Sequence, residues 1–213
     1  MEYEVFPYEQ ASTILKDAKA FGLYPCMCKL QRMNLGEECG HPTMRCLTYA
    51  PVEGAFDNAP GIQVLTREEA FLAFKDFEDA GLVHAVGNSM EGANYICNCC
   101  TCACTFLRAL TEFGIENSVA KTNFLAEVDE DACNGCETCL DRCAFGVISM
   151  EDDIAYVDKA RCAGCGLCII TCPSEARNLL RRSEDEAVPI PRTMQEWREE
   201  RAENRGISLK DVT

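Results

Sequence analysis

The sequence predicts an α+β protein: a mixed α/β, cysteine-rich N-terminal domain carrying a small C-terminal module built on a duplicated cysteine segment. Three observations predict it. Helix and strand signals alternate through the first 128 residues. "CNGCETCLDRCAFG" recurs as "CAGCGLCIITCPSE", with Cys133 matching Cys162. Cysteine itself is abundant, at 17 of 213 residues. That density usually marks a disulfide framework in a short secreted chain. This chain is not short, and "MEYEVFPYEQ" lacks the basic start and apolar run of a signal peptide, so a cytoplasmic, metal-binding protein is expected. No stretch of eighteen apolar residues occurs, so no membrane span is expected. The formal charge of −15 argues against a nucleic-acid partner and fits docking to a basic surface on another protein.

Three regions are expected: 1–128, 129–182 and a charged arm, 183–213. In the first, Ala11, Ile14, Leu15 and Ala18 recur at helical spacing, with Gly22 as a stop. A loop carrying Cys26, Cys28, Cys39 and Cys46 follows, and "APVEGAFDNAPG" reads as another loop. Thr66 and Glu69 form a capping box opening a helix whose apolar side holds Phe71, Leu72, Phe74 and Phe77, and Gly81 ends it. "LVHAV" reads as a strand. Five cysteines then crowd into eight positions: Cys97, Cys99, Cys100, Cys102 and Cys104. "TFLRALTEFG" reads as a helix ending at Gly114, its positive end directed at those cysteines. In the second region, "VISMEDDIAYVD" alternates around an acidic turn as a hairpin does. In the arm, Thr193 and Glu196 form a second capping box, opening a short helix that is either solvated or a partner-docking element.

The duplicated segment carries the chemistry. Cys133, Cys136, Cys139 and Cys143 fit C-x2-C-x2-C-x3-C, and Cys162, Cys165, Cys168 and Cys172 repeat it, with Pro173 after the second copy. Thiolates two residues apart wrap a tight loop around three corners of a cubane, and small residues (Gly135, Ala163, Gly164, Gly166) let the backbone approach. Four-thiolate zinc sites also use paired C-x2-C, but they leave the even triplet spacing unexplained. The segment resembles the two-cluster bacterial ferredoxins. One departure is Ala144, where the motif often has proline. The resemblance implies two hairpins with two short helices and two [4Fe–4S] clusters. It assigns Cys133, Cys136, Cys139 and Cys172 to cluster one, and Cys162, Cys165, Cys168 and Cys143 to cluster two.

Nine cysteines remain: Cys26, Cys28, Cys39, Cys46, Cys97, Cys99, Cys100, Cys102 and Cys104. The whole chain resembles anaerobic-type iron–sulfur proteins in which a "CxC…GxxCxxP…CL" segment and a "CNCCxCxC" segment precede such a dicluster domain. The two groups are expected to meet in space and hold one or two further [4Fe–4S] or related clusters, with zinc or redox-active thiols as the alternatives. Adjacent Cys99 and Cys100 fit a single cubane poorly, which leaves a larger or non-cubane cluster open. His41 is a candidate ligand, with loop hydrogen bonding as its other role, and His84 reads as structural. Lys29, Arg32 and Arg45 are candidate compensating charges. The expected function is electron transfer, as a carrier or as a subunit of an anaerobic oxidoreductase. An iron–sulfur enzyme acting at the N-terminal cysteines is the alternative, as is a redox-sensing interaction protein. Neither a G-x-G-x-x-G nor a P-loop occurs to support the enzyme, and no catalytic residue is identified.

Overall fold

Alternation along two strands, β5 (Val83–Gly87) and β6 (Tyr95–Cys99), divides the N-terminal domain. Leu82, Val86 and Ile96 turn toward one apolar core, while Val83, Ala85 and Cys99 turn toward another. Between the two thiols of β6, Asn98 sits beside His84, its cross-strand partner, at 2.7 Å, and donates to the Arg45 carbonyl. That placement ties three strands together through one buried amide. The computed structural model describes residues 3–6, 12, 14–115, 118–120, 122–183, 185–187 and 189–209.

The remaining strands of this sheet are β1 (Tyr3–Phe6), β2 (Ala20–Pro25), β3 (Met44–Ala50) and β4 (Gln63–Leu65). The order is β1-β5-β6-β3-β2-β4, with every pairing antiparallel. Among the described residues, α1 (Met27–Asn34) and α2 (Arg67–Asp79), the latter with the expected Thr66–Glu69 capping box, belong to it. The α2 residues Ala70, Phe74 and Phe77 pack on Phe21, Leu47 and Ile96. Full burial of side chains such as Phe74 and Leu47 contributes about 1.5–3 kcal/mol each.

Several sequence expectations are corrected here. The helix expected up to Gly22 lies partly outside the described residues, and Gly22 itself sits in β2, where a β carbon would collide with Ile62. The expected loop around the first four cysteines is replaced by α1 and β3. Cys26 caps α1, Cys28 lies within it, and Cys46 lies in β3; Cys39 alone is in a loop. Leu72 is exposed and does not belong to the apolar side of α2.

A short helix, α3 (Thr105–Thr111), follows the five-cysteine run, and Gly114 lies beyond its end with positive φ. The C-terminal module has β7 (Phe124–Val128), α4 (Thr138–Arg142), β8 (Ile148–Glu151), β9 (Ile154–Val157) and β10 (Arg177–Arg181). Only β8–β9 is a hairpin, turning through Asp152 and Asp153 at positive φ. The expected second hairpin is instead β7 paired with β10, its two strands arriving from opposite ends of the module. Turns replace the second short helix after Cys165.

The arm folds back on the N-terminal domain. Met90 and Glu91 donate backbone hydrogen bonds to Pro191 and Arg192, and Arg192 pairs with Glu91 at 2.7 Å. Helix α5 (Met194–Glu203) then starts from the Thr193–Glu196 capping box.

Candidate iron–sulfur and thiol sites

The repeat in sequence is also a repeat in backbone conformation. Gly135 and Gly164, Glu137 and Gly166, and Gly146 and Glu175 are equivalent pairs, and all six have positive φ. Left-handed residues at these points reverse the chain so that successive cysteines face inward. At Gly135 a β carbon would stand 2.7 Å from the Asp153 carbonyl, and at Gly164 it would collide with the Phe124 carbonyl.

Each copy opens onto a cavity. One is lined by Cys133, Cys136, Cys139 and Cys172, with Thr138 and Arg177 beside them. The other is lined by Cys143, Cys162, Cys165 and Cys168, with Arg142 and Phe145. The fourth cysteine of each copy therefore faces the other copy's cavity. Cys139 and Cys168 stand with Ala126, Ala155 and Val157 in one apolar partition.

These walls fit an anionic, sulfur-rich group. Arg177 is only 4 % exposed, and neither terminal nitrogen of its guanidinium has a hydrogen-bond partner among the described residues, although it lines the first cavity. A buried cation left in that condition is costly unless the cavity supplies negative acceptors. The Thr138 hydroxyl donates to Cys136 at 3.4 Å, lowering that thiol's pKa, and the Val147 amide donates to Cys143 at 3.4 Å. Burial drives Cys168 the other way, up to about 12, opposed by Arg177. Burial likewise raises Cys165. The second cavity is thus the less compensated of the two.

The nine N-terminal cysteines do come together, in two groups. Six of them stand in a closed ring, Cys26–Cys28–Cys104–Cys99–Cys97–Cys46, in which each thiol shifts the pKa of its neighbours. The other three, Cys39, Cys100 and Cys102, have sulfurs all within 4.8 Å of one another. Strand alternation explains the split between adjacent cysteines. Cys99 belongs with the core of Val83 and Ala85, whereas Cys100 belongs with that of Leu47 and Phe74.

Two ring members stand at helix starts. Cys104 caps α3, and hydrogen bonds from Cys28 and then Cys99, with the Leu107 and Phe106 amides adding, hold it down to about 3 against burial. Cys26 caps α1 and is held far below the thiol range by Cys28 and Cys46, with the Lys29 amide and Arg45 adding. Cys28, Cys46 and Cys99 are pushed upward by those same neighbours and by burial. The ring thus favours deprotonation at Cys26 and Cys104, the two members at helix starts.

Arg45 joins the two groups. Completely buried, it donates from Nη1 to Cys100 at 3.2 Å and from Nη2 to Cys26 at 3.5 Å. Of the other two candidate cations, Lys29 is buried and donates to the Cys39 carbonyl at 2.9 Å, while Arg32 pairs with Glu37. His41 is not among the residues whose ligand atoms meet in the three-thiol group, and its backbone amide lies toward Cys39. His84 is structural: it is buried, bonded to Asn98 and stacked on Phe74 at 3.9 Å. The spacing of cysteines pointed to two segments that meet in space, but not to the way the structure mixes them into a set of six and a set of three. Arg177 carried no signal, since one arginine after a cysteine motif looks like any surface arginine.

No helix among the described residues is long and apolar enough to cross a membrane. Comparison with known proteins places a 4Fe-4S dicluster domain at residues 132–176. No curated protein matches the chain. The chain thus carries a ferredoxin-like iron–sulfur segment, and iron–sulfur electron transfer is its general chemistry.

Proposed function

We propose that the protein is an electron carrier, or the electron-transfer subunit of an anaerobic oxidoreductase. In this reading Cys133, Cys136, Cys139 and Cys172 hold one [4Fe–4S] cluster, and Cys143, Cys162, Cys165 and Cys168 hold a second. The six-thiol ring holds a further cluster. Such groups supply one-electron redox chemistry when bound.

The observation that carries the reading is one apolar cluster. Cys97, Cys99 and Cys104 of the ring pack in it with Cys143, Cys162 and Cys165 of the second cavity, around Leu107, Phe145 and Leu167. Together with the partition between the cavities, this apolar packing supports three sulfur sites that follow one another from the ring to the first cavity. Cys136 is exposed, so the first cavity is the end a partner reaches. The roles of the protein's own groups follow from where they stand. Val147 and Thr138 donate hydrogen bonds to ligand sulfurs, Arg177 offsets negative charge, and Ala126, Ala155 and Val157 exclude water from the partition. The acidic surface steers the exposed end toward a basic partner.

Anaerobic purification with iron and acid-labile sulfide quantification tests this. About eight irons matched by equal sulfide account for the two cavities, and roughly four more for a ring cubane. An iron-poor protein that remains folded, with zinc in place of iron, overturns it.

A further inference from the structure

We propose that Cys39, Cys100 and Cys102 bind a single thiophilic divalent ion, Zn2+ or Fe2+, through three thiolates, leaving its fourth position open to an exogenous ligand. The site goes beyond the proposed electron path and does not depend on it.

Geometry separates this group from every other cysteine set in the chain. One tetrahedral ion with metal–sulfur bonds of ~2.3 Å sets sulfur–sulfur edges of roughly 3.8 Å. The Cys39 and Cys100 sulfurs are 3.9 Å apart, and all three sulfurs lie within 4.8 Å of one another. A cubane needs wider spacing, because each thiolate binds a different iron. In the C-terminal module, among the described residues, no three of the eight cysteine sulfurs approach one another as closely. The ring of six has neighbour contacts but no such compact triangle. Among the described residues, the compact triangle suited to a lone ion is thus confined to Cys39, Cys100 and Cys102.

The surroundings favour a charged trithiolate. Three thiols lose their protons on binding, so the ion and its ligands carry one net negative charge. Arg45 donates to Cys100 from a fully buried position, the kind of outer contact that orients a ligand sulfur and offsets its charge. Lys29 fixes the Cys39 carbonyl at 2.9 Å. Among the described residues no imidazole or carboxylate joins the three sulfurs, so the protein supplies three ligands and not four. Cys100 is buried and Cys102 exposed, which puts the remaining position on the solvent side. Structural zinc sites are closed by four protein ligands, whereas three ligands with an accessible fourth position mark sites that bind or activate a small molecule. The chemistry of that position favours a soft or anionic ligand such as a small thiolate.

The test uses the full chain, purified anaerobically, beside Cys102→Ser and Cys39→Ser. Cys102 is exposed, so its serine variant removes no core packing, and circular dichroism verifies the fold of both variants. The expected result is one zinc, or one iron in excess of acid-labile sulfide, per wild-type chain. After mild chelation that leaves sulfide unchanged, added Co2+ gives the visible bands of a tetrahedral cobalt thiolate, and a small monothiol shifts them. Each variant weakens Co2+ binding by more than about tenfold, while sulfide content and the reduced-state EPR signals stay at wild-type levels. Loss of iron and sulfide together in Cys102→Ser makes these cysteines cubane ligands and overturns the proposal. So does wild-type protein with no sulfide-free metal and no cobalt thiolate band. Bands that no monothiol shifts overturn the open fourth position. Sulfide and EPR read the clusters separately, so failure here is distinguishable from failure of the electron-transfer reading.

Discussion

Arg177 shows how much one buried side chain decides. Its terminal guanidinium nitrogens have no acceptor among the described residues where it lines the first cavity, and it also opposes the upward shift of Cys168, so it acts on both sides of the partition. A positive charge there favours the more negative, reduced state of any cluster nearby. Arg177→Gln is therefore expected to lower the module's reduction potentials by some tens of millivolts, on a scale where 59 mV is tenfold for one electron. Redox titration followed by EPR checks the direction, and a rise in potential contradicts the role. His84 makes a second residue-scale case. Burial, only partly offset by the Asn98 bond, lowers its pKa to about 4, below the unfolded value of 6.5. The unfolded chain thus binds a proton more readily between those values. Its contribution to stability is complete above pH 6.5 and falls as pH drops toward 4, by about 2 kcal/mol at pH 5. Wild-type protein should lose denaturant resistance between pH 6.5 and 5 more steeply than His84→Gln, and parallel profiles would remove His84 from the account.

Among the elements, those legible in the sequence are the ones whose determinants are local. Both capping boxes, the β8–β9 hairpin and the strand at His84 rest on residues close to one another in the chain, and they form as read. β2 was not legible, because the helical spacing of Ala11, Ile14, Leu15 and Ala18 runs straight into it. Its strand character comes from pairing with Tyr49 and Leu65, far along the chain. β6 was hidden for another reason: in "YICNC" the alternation is Ile and Asn against Cys and Cys, and cysteine reads as ligand before it reads as core. The duplication of the C-terminal cysteine segment was legible, and the left-handed positions that the two copies share yield a test. Glu137 occupies a conformation that its repeat partner assigns to Gly166. Glu137→Gly should relieve about 1 kcal/mol of strain. Gly164→Ala should be damaging, because its β carbon would meet the Phe124 carbonyl and the Thr122 side chain. The midpoint of anaerobic thermal bleaching is expected to rise in the first variant and fall in the second; the reverse order would break the equivalence of the two loops.

Across the whole molecule, composition suggests that metal and stability are inseparable everywhere, since cysteine is spread over both halves. The packing divides the answer. The α2 face of the large sheet has its own core, in which Leu15, Phe21, Leu47, Phe74, Leu82 and Ile96 are buried, and Phe and Leu side chains of this size hold a sheet without cofactors. In the C-terminal module the corresponding core is Ala126, Ala155 and Val157 with Cys139 and Cys168, so two of its five buried members are thiols facing cavities. Small side chains and ligand cysteines bury too little apolar surface to hold β7–β10 and β8–β9 together once the cavities hold no cluster. The core between the halves is intermediate, with Leu107, Phe145 and Leu167 packed among cysteines of both. Anaerobic removal of iron with a strong chelator is therefore expected to unfold the chain in part. Amides of β7 to β10 should exchange freely with solvent and those of β5 and β6 should lose some protection. Those of α2, β2 and β3 should stay protected, because their core contains no ligand facing either cavity. Hydrogen exchange read by mass spectrometry separates these segments. Uniform loss of protection would mean that the N-terminal thiols, and not Phe74 and Leu47, hold the sheet. Uniform retention would mean that the module's small core is sufficient without metal.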